Sequence, residues 1–100
     1  FLNGVLELRT LLEPEELLER LHEIERAANR ERKIHWGPRT LDLDILLYDE
    51  LVMDTKDLHI PHAEMHLRDF VLVPLAQIAP WKRHPLNGQT VEQMLKTLSK

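Results

Sequence analysis

His35-Trp36-Gly37-Pro38-Arg39-Thr40-Leu41-Asp42-Leu43-Asp44-Ile45-Leu46 is the stretch on which the reading of this 100-residue chain turns. Gly37-Pro38 punctuates the backbone as a turn. The alternation that follows predicts a strand, with Leu41, Leu43, Ile45 and Leu47 on one face and Asp42 and Asp44 side by side on the other. Two carboxylates so placed offer hard oxygen ligands to Mg²⁺, whose octahedral shell is usually completed by water and nucleotide phosphates. Arg39, three residues before Asp42, adds a planar cationic fork suited to phosphate oxygens. An isolated Asp-x-Asp is more simply an edge strand kept soluble by charge. The cationic turn that leads into it is what points to metal-assisted phosphate chemistry.

On the N-terminal side, Leu2 to Arg9 alternates well enough for a strand, with Leu2, Leu6 and Leu8 on one face and Phe1, Asn3 and Val5 on the other. Glu13-Pro14-Glu15-Glu16 carries the signals of a helix start. Leu17, Leu21, Ile24 and Ala28 then recur at helical spacing, which predicts a helix packed on a sheet. Glu25 lies beside that stripe, placed either to snorkel or to face a site. Asn29 to Arg39 has no periodicity and reads as a loop carrying Arg30, Arg32, Lys33, His35, Trp36 and Arg39. These side chains suit a nucleotide through charge or stacking, and equally suit a solvated charge run anchored by Trp36.

On the C-terminal side, Tyr48-Asp49-Glu50 predicts a turn into Leu51-Val52-Met53, with Leu58-His59-Ile60 as a second arm that Pro61 ends. A helix is expected from about Glu64 to Val73, with Pro74 restarting a short turn through Ala79. Asn87-Gly88 makes a turn and Thr90 is an N-cap, ahead of a final helix lined by Val91, Met94, Leu95 and Leu98. His62 and His66 stand four apart, a spacing that serves a transition metal on a helix, but they lack the His-Glu-x-x-His order. His62 is better read as a hydrogen-bond donor to phosphate. His22, His59 and His84 are read as surface or packing residues, and Trp81 and the methionines as core or partly buried surface.

Strand, helix, strand and further small elements suit an α+β open-faced sandwich, a single domain over 1–100. A hydrophobic content of 43% is enough for one small core. A net charge of −4 argues against a general binder of nucleic acid or membrane surfaces. Cysteine is absent, so disulfides do not staple the fold. With no apolar run of membrane-spanning length and no visible signal peptide, a cytoplasmic location is expected.

The His35–Leu46 run closely resembles the signature of the 6-hydroxymethyl-7,8-dihydropterin pyrophosphokinase family. Phe1-Leu2-Asn3, Ile60-Pro61-His62 and Arg68-Asp69-Phe70-Val71-Leu72-Val73-Pro74-Leu75 extend the likeness in the same order. The resemblance implies a ferredoxin-like core and Mg²⁺-dependent transfer of the terminal pyrophosphate of ATP to a pterin alcohol, releasing AMP, in folate biosynthesis. It implies catalytic roles for Arg30, Arg39, Asp42 and Asp44, with Asp42 and Asp44 holding metal, two ions being expected with ATP. Glu25, Arg30, Arg32, Lys33, Trp36, Arg39, Ile45, His62 and Arg68 fall on its nucleotide side, and Asn3, Phe70 and Asp42 on its pterin side. Ala63 and Glu64 depart from the residues usual beside the Pro-His pair. Family members open with a strand, a helix and a strand ahead of the position of Phe1, so the fold is expected to be incomplete at its N-terminus. Poor pterin binding, little transfer and self-association through an uncovered sheet edge follow as expectations. Two other readings are a different metal-dependent phosphotransferase or phosphodiesterase built on Asp42, Asp44 and His62, and a non-catalytic ferredoxin-like binding or assembly module.

Overall fold

Helix α1 spans Pro14–Arg30, with Pro14 at its first position, Glu15 and Glu16 in the first turn and Arg30 in the last. Proline sacrifices no helical hydrogen bond there, and the terminal charges complement the helix dipole. The computed structural model describes residues 3–30 and 41–100, which fall into two compact units. Leu11–Ile45 forms one, and Phe1–Thr10 with Leu46–Lys100 the other.

In the Leu11–Ile45 unit, α1 buries Pro14 and Leu17 and half-buries Leu18, Leu21, Glu25 and Ala28. Ile24 is 52% exposed, so the inward stripe is rotated away from Ile24 toward Leu18 and Glu25. The helix also runs further than expected, since Asn29 and Arg30 belong to its last turn rather than to the loop. No strand occurs among the described residues of this unit, where α1 was expected to pack on a sheet.

The second unit begins with another difference from the alternation. Residues 3–9 form no strand; Leu6 and Leu8 are 75% and 55% exposed, and Val5 is the side chain that packs against the core. A strand is a paired state, and no ladder partner is present among the described residues. Tyr48 does close a turn, its carbonyl accepting from Leu51 N at 3.0 Å, with Asp49 at φ 50°. A short polar side chain tolerates that left-handed backbone better than most. The chain then forms β1 (Met53–Asp54) and β2 (His59–Ile60), antiparallel, with Met53 opposite Ile60 and an Asp54–His59 ion pair.

The expected Glu64–Val73 helix is divided. A 3-10 turn at Met65–Leu67 ends in extended Arg68, and α2 (Asp69–Ile78) starts afresh and passes through Pro74. Proline in a helix interior costs about 3 kcal/mol, and burying two leucines returns a similar amount. Leu72 and Leu75, buried on the inner face of α2, supply that burial. Helix α3 (Val91–Leu98) packs beside it, and Met65, Leu72, Leu75, Val91 and Met94 form the core. The first backbone donors of α3 are all satisfied: Val91 N by the Lys82 carbonyl, Glu92 N by Pro80, Gln93 N by the Thr90 hydroxyl and Met94 N by the Thr90 carbonyl. Thr90 and Gln93 complete a reciprocal capping box. Trp81, read as core or partly buried, is 70% exposed.

Candidate active site

The Asp42 and Asp44 carboxylates are both exposed, whereas Leu41 and Leu43 are half-buried and Ile45 is buried. The alternation therefore sorts the faces as expected. It does so without a strand ladder, because residues 41–48 pair with no neighbouring strand among the described residues. Side chains of α1 take the ladder's place. Asn29 Oδ1 accepts from Leu41 N at 3.1 Å, and Glu25 Oε2 accepts from Leu43 N at 2.7 Å. Glu25, expected either to snorkel or to face a site, thus places Oε2 on the backbone between the two aspartates.

Neither aspartate carboxylate has a hydrogen-bond or ion-pair partner among the described residues. Among the same residues, no group of three or more His, Asp or Glu assembles that could hold a metal. Two exposed carboxylates two residues apart are a donor set that fits Mg²⁺, which commonly takes one or two protein carboxylates and draws its remaining ligands from water and phosphates. They do not make the closed nitrogen and sulfur shell of a structural zinc site. Arg30 is exposed in the last turn of α1. Ile45, placed on the nucleotide side by resemblance, is 8% exposed and belongs to the buried face. Arg32, Lys33, Trp36 and Arg39 lie outside the described residues.

Four further candidates belong to the second unit. Asn3 is exposed. His62 N donates to the Leu46 carbonyl at 2.9 Å, and the imidazole Nδ1 is buried without a partner among the described residues. Arg68 pairs with Glu64, and its guanidinium carbon lies 5.7 Å from the centre of the Phe70 ring. Phe70, in the first turn of α2, is 48% exposed, leaving ring surface free for stacking. His62 and His66 do not share a regular helix, because His62 precedes the 3-10 turn that contains His66.

Sequence reasoning missed Asn29, which it placed in the loop. The signal was its position four residues after Glu25, which puts both side chains on one helical face.

A sequence model of the family described as 7,8-dihydro-6-hydroxymethylpterin-pyrophosphokinase (HPPK) matches residues 1–80. The chain belongs to that family. It is 46% identical over 96 residues to a 2-amino-4-hydroxy-6-hydroxymethyldihydropteridine pyrophosphokinase of Synechocystis, covering 96% of the chain and 49% of that relative. The enzyme of the same name from Pseudomonas aeruginosa is 48% identical over 95 residues, covering 95% of the chain and 58% of the relative. A bifunctional protein FolKE of Lactococcus lactis is 55% identical over 78 residues, 78% of the chain and 22% of its own length. The chain therefore spans little more than half, or less, of these pyrophosphokinase relatives. No helix among the described residues is long and apolar enough to cross a membrane.

Proposed function

We propose that the chain carries the metal- and nucleotide-binding part of a pterin pyrophosphokinase, with Asp42 and Asp44 as Mg²⁺ ligands and ATP as the pyrophosphate donor to 6-hydroxymethyl-7,8-dihydropterin. The observation that carries this reading is the pair of exposed carboxylates, without partners among the described residues, on a segment whose backbone is held by helix α1. Bound Mg²⁺, two ions with ATP, supplies charge neutralisation along the phosphates and polarises the β-phosphorus. The chain's own residues position and hold. Arg30, with Arg32, Lys33 and Arg39, contacts phosphate, and Trp36 stacks with the nucleotide. Ile45, being buried, contributes to the nucleotide site through the packing of the segment that carries the aspartates. Arg68 exchanges its Glu64 partner for a phosphate oxygen, a charge-assisted bond at least as strong. His62, with Nδ1 buried, presents Nε2 as its remaining ring nitrogen.

Phe70 offers a stacking face and Asn3 an amide to the edge of the pterin heterocycle, while Asp42 contacts the pterin side. The fold proposed for the whole protein is a ferredoxin-like sandwich. The chain alone binds pterin poorly, transfers little pyrophosphate and self-associates, and the working location is the cytoplasm. The test is a transfer assay on the full-length protein that follows AMP and pterin pyrophosphate. Asp42→Ala and Asp44→Ala should each remove most of the activity while leaving the circular dichroism spectrum unchanged. Wild-type turnover in either variant at saturating Mg²⁺ would defeat the assignment.

A further inference from the structure

Glu25 and Asn29 are four apart on α1, and the amides they receive, Leu41 and Leu43, are two apart on the segment bearing the aspartates. Four helical residues rise about 6 Å and two extended residues about 6.7 Å, so one helix face meets two successive same-side N–H groups with little distortion. The two contacts bracket Asp42. A one-residue slip of an extended segment turns every side chain to the opposite face. Here that slip would bury Asp42 and Asp44 and expose Leu41, Leu43 and Ile45. No strand neighbour among the described residues fixes the register.

We infer that Glu25 and Asn29 are positioning residues, a two-point clamp that sets the register of the Asp42–Asp44 segment and so aims both carboxylates outward for metal. The inference rests on the metal reading above and deepens it. Glu25 holds Leu43 through a short bond to a charged acceptor, and Asn29 holds Leu41 through a longer one to a neutral amide. Glu25 is therefore the stronger point. It acts on metal through the backbone of Leu43.

The test uses Mn²⁺ as the probe, read by electron paramagnetic resonance on the 100-residue chain with a non-hydrolysable ATP analogue, alongside amide hydrogen exchange at Leu41 and Leu43. Glu25→Ala should raise exchange at Leu43 by about tenfold or more and Asn29→Ala should raise it chiefly at Leu41. Both should weaken Mn²⁺ binding about tenfold, as loss of groups that orient metal ligands does elsewhere. Glu25→Gln keeps an acceptor oxygen and should recover most of the affinity. Metal-free binding of the analogue should stay unchanged in Asn29→Ala. Unaltered exchange at Leu43 in Glu25→Ala would overturn the clamp, as would wild-type Mn²⁺ affinity in both alanine variants. Weakened metal-free analogue binding in Asn29→Ala would also overturn it, since the loss would then lie in nucleotide contact and not in the aim of the metal ligands. Asp42→Asn separates the two claims, because Mn²⁺ affinity that it does not lower rejects the metal reading, while the exchange pattern still decides the clamp.

Discussion

Acidification should loosen the turn ahead of α3 through His84. This residue is 5% exposed, and its Nδ1 accepts two backbone hydrogen bonds, from Leu86 N at 3.2 Å and Asn87 N at 3.3 Å. An acceptor Nδ1 carries no proton, so the imidazole is neutral in the native turn. Its pKa is lowered from the ordinary value, first by burial and then by His66, whose ring lies edge-on at 6.0 Å. The unfolded chain therefore takes up a proton near pH 6.5 that the folded chain resists. The stabilisation is fully present above pH 6.5, falls as the pH drops toward the folded-state value, and levels off below it. Protonation at Nδ1 removes both acceptor contacts. At about 0.5–1 kcal/mol each for bonds of this length, the total loss is about 1–2 kcal/mol. Urea midpoints measured from pH 7.5 to 5 should show this decline. His84→Asn offers an oxygen near the position of Nδ1 and does not titrate, so it should flatten the profile over that range. An undiminished decline in His84→Asn would refute the reasoning and move the effect to other groups.

Leu72→Ala should destabilise the second unit by about 3 kcal/mol or more in urea unfolding, because Leu72 is fully buried between helices α2 and α3. Thr90→Ala breaks the capping box of an eight-residue helix and should cost about 1 kcal/mol in the same assay, whereas Thr90→Ser should cost less. Replacing Arg68 by Lys in the full-length protein should raise the KM for ATP more than it lowers kcat, since a point charge cannot reproduce the guanidinium fork.

How far each feature was legible depended on how far along the chain its cause lay. Pro14, Asn87-Gly88 and the Thr90 cap act over a few residues, so the starts of α1 and α3 and the turn before α3 could be read directly. The outward pointing of Asp42 and Asp44 followed from alternation alone. Strands over Leu2–Arg9 and Leu41–Leu47 were expected from that same alternation, but a strand also needs a paired neighbour, which local sequence does not supply. Pro74 looked like a helix end because its local penalty was visible, while the burial of Leu72 and Leu75 that offsets it was not. The Glu25 and Asn29 bonds span 18 and 12 residues, and no local propensity announces a side chain that receives a distant backbone amide.

Isothermal calorimetry with a non-hydrolysable ATP analogue, with and without Mg²⁺, on the chain and on its Asp42→Asn/Asp44→Asn double variant is the measurement to make. Mg²⁺ should strengthen analogue binding to the parent chain at least tenfold, and the double variant should lose that gain while keeping the weak metal-free binding. Equal affinity with and without Mg²⁺ in the parent, or a full Mg²⁺ gain in the double variant, would contradict the assignment of these two aspartates as the metal site of a pyrophosphokinase.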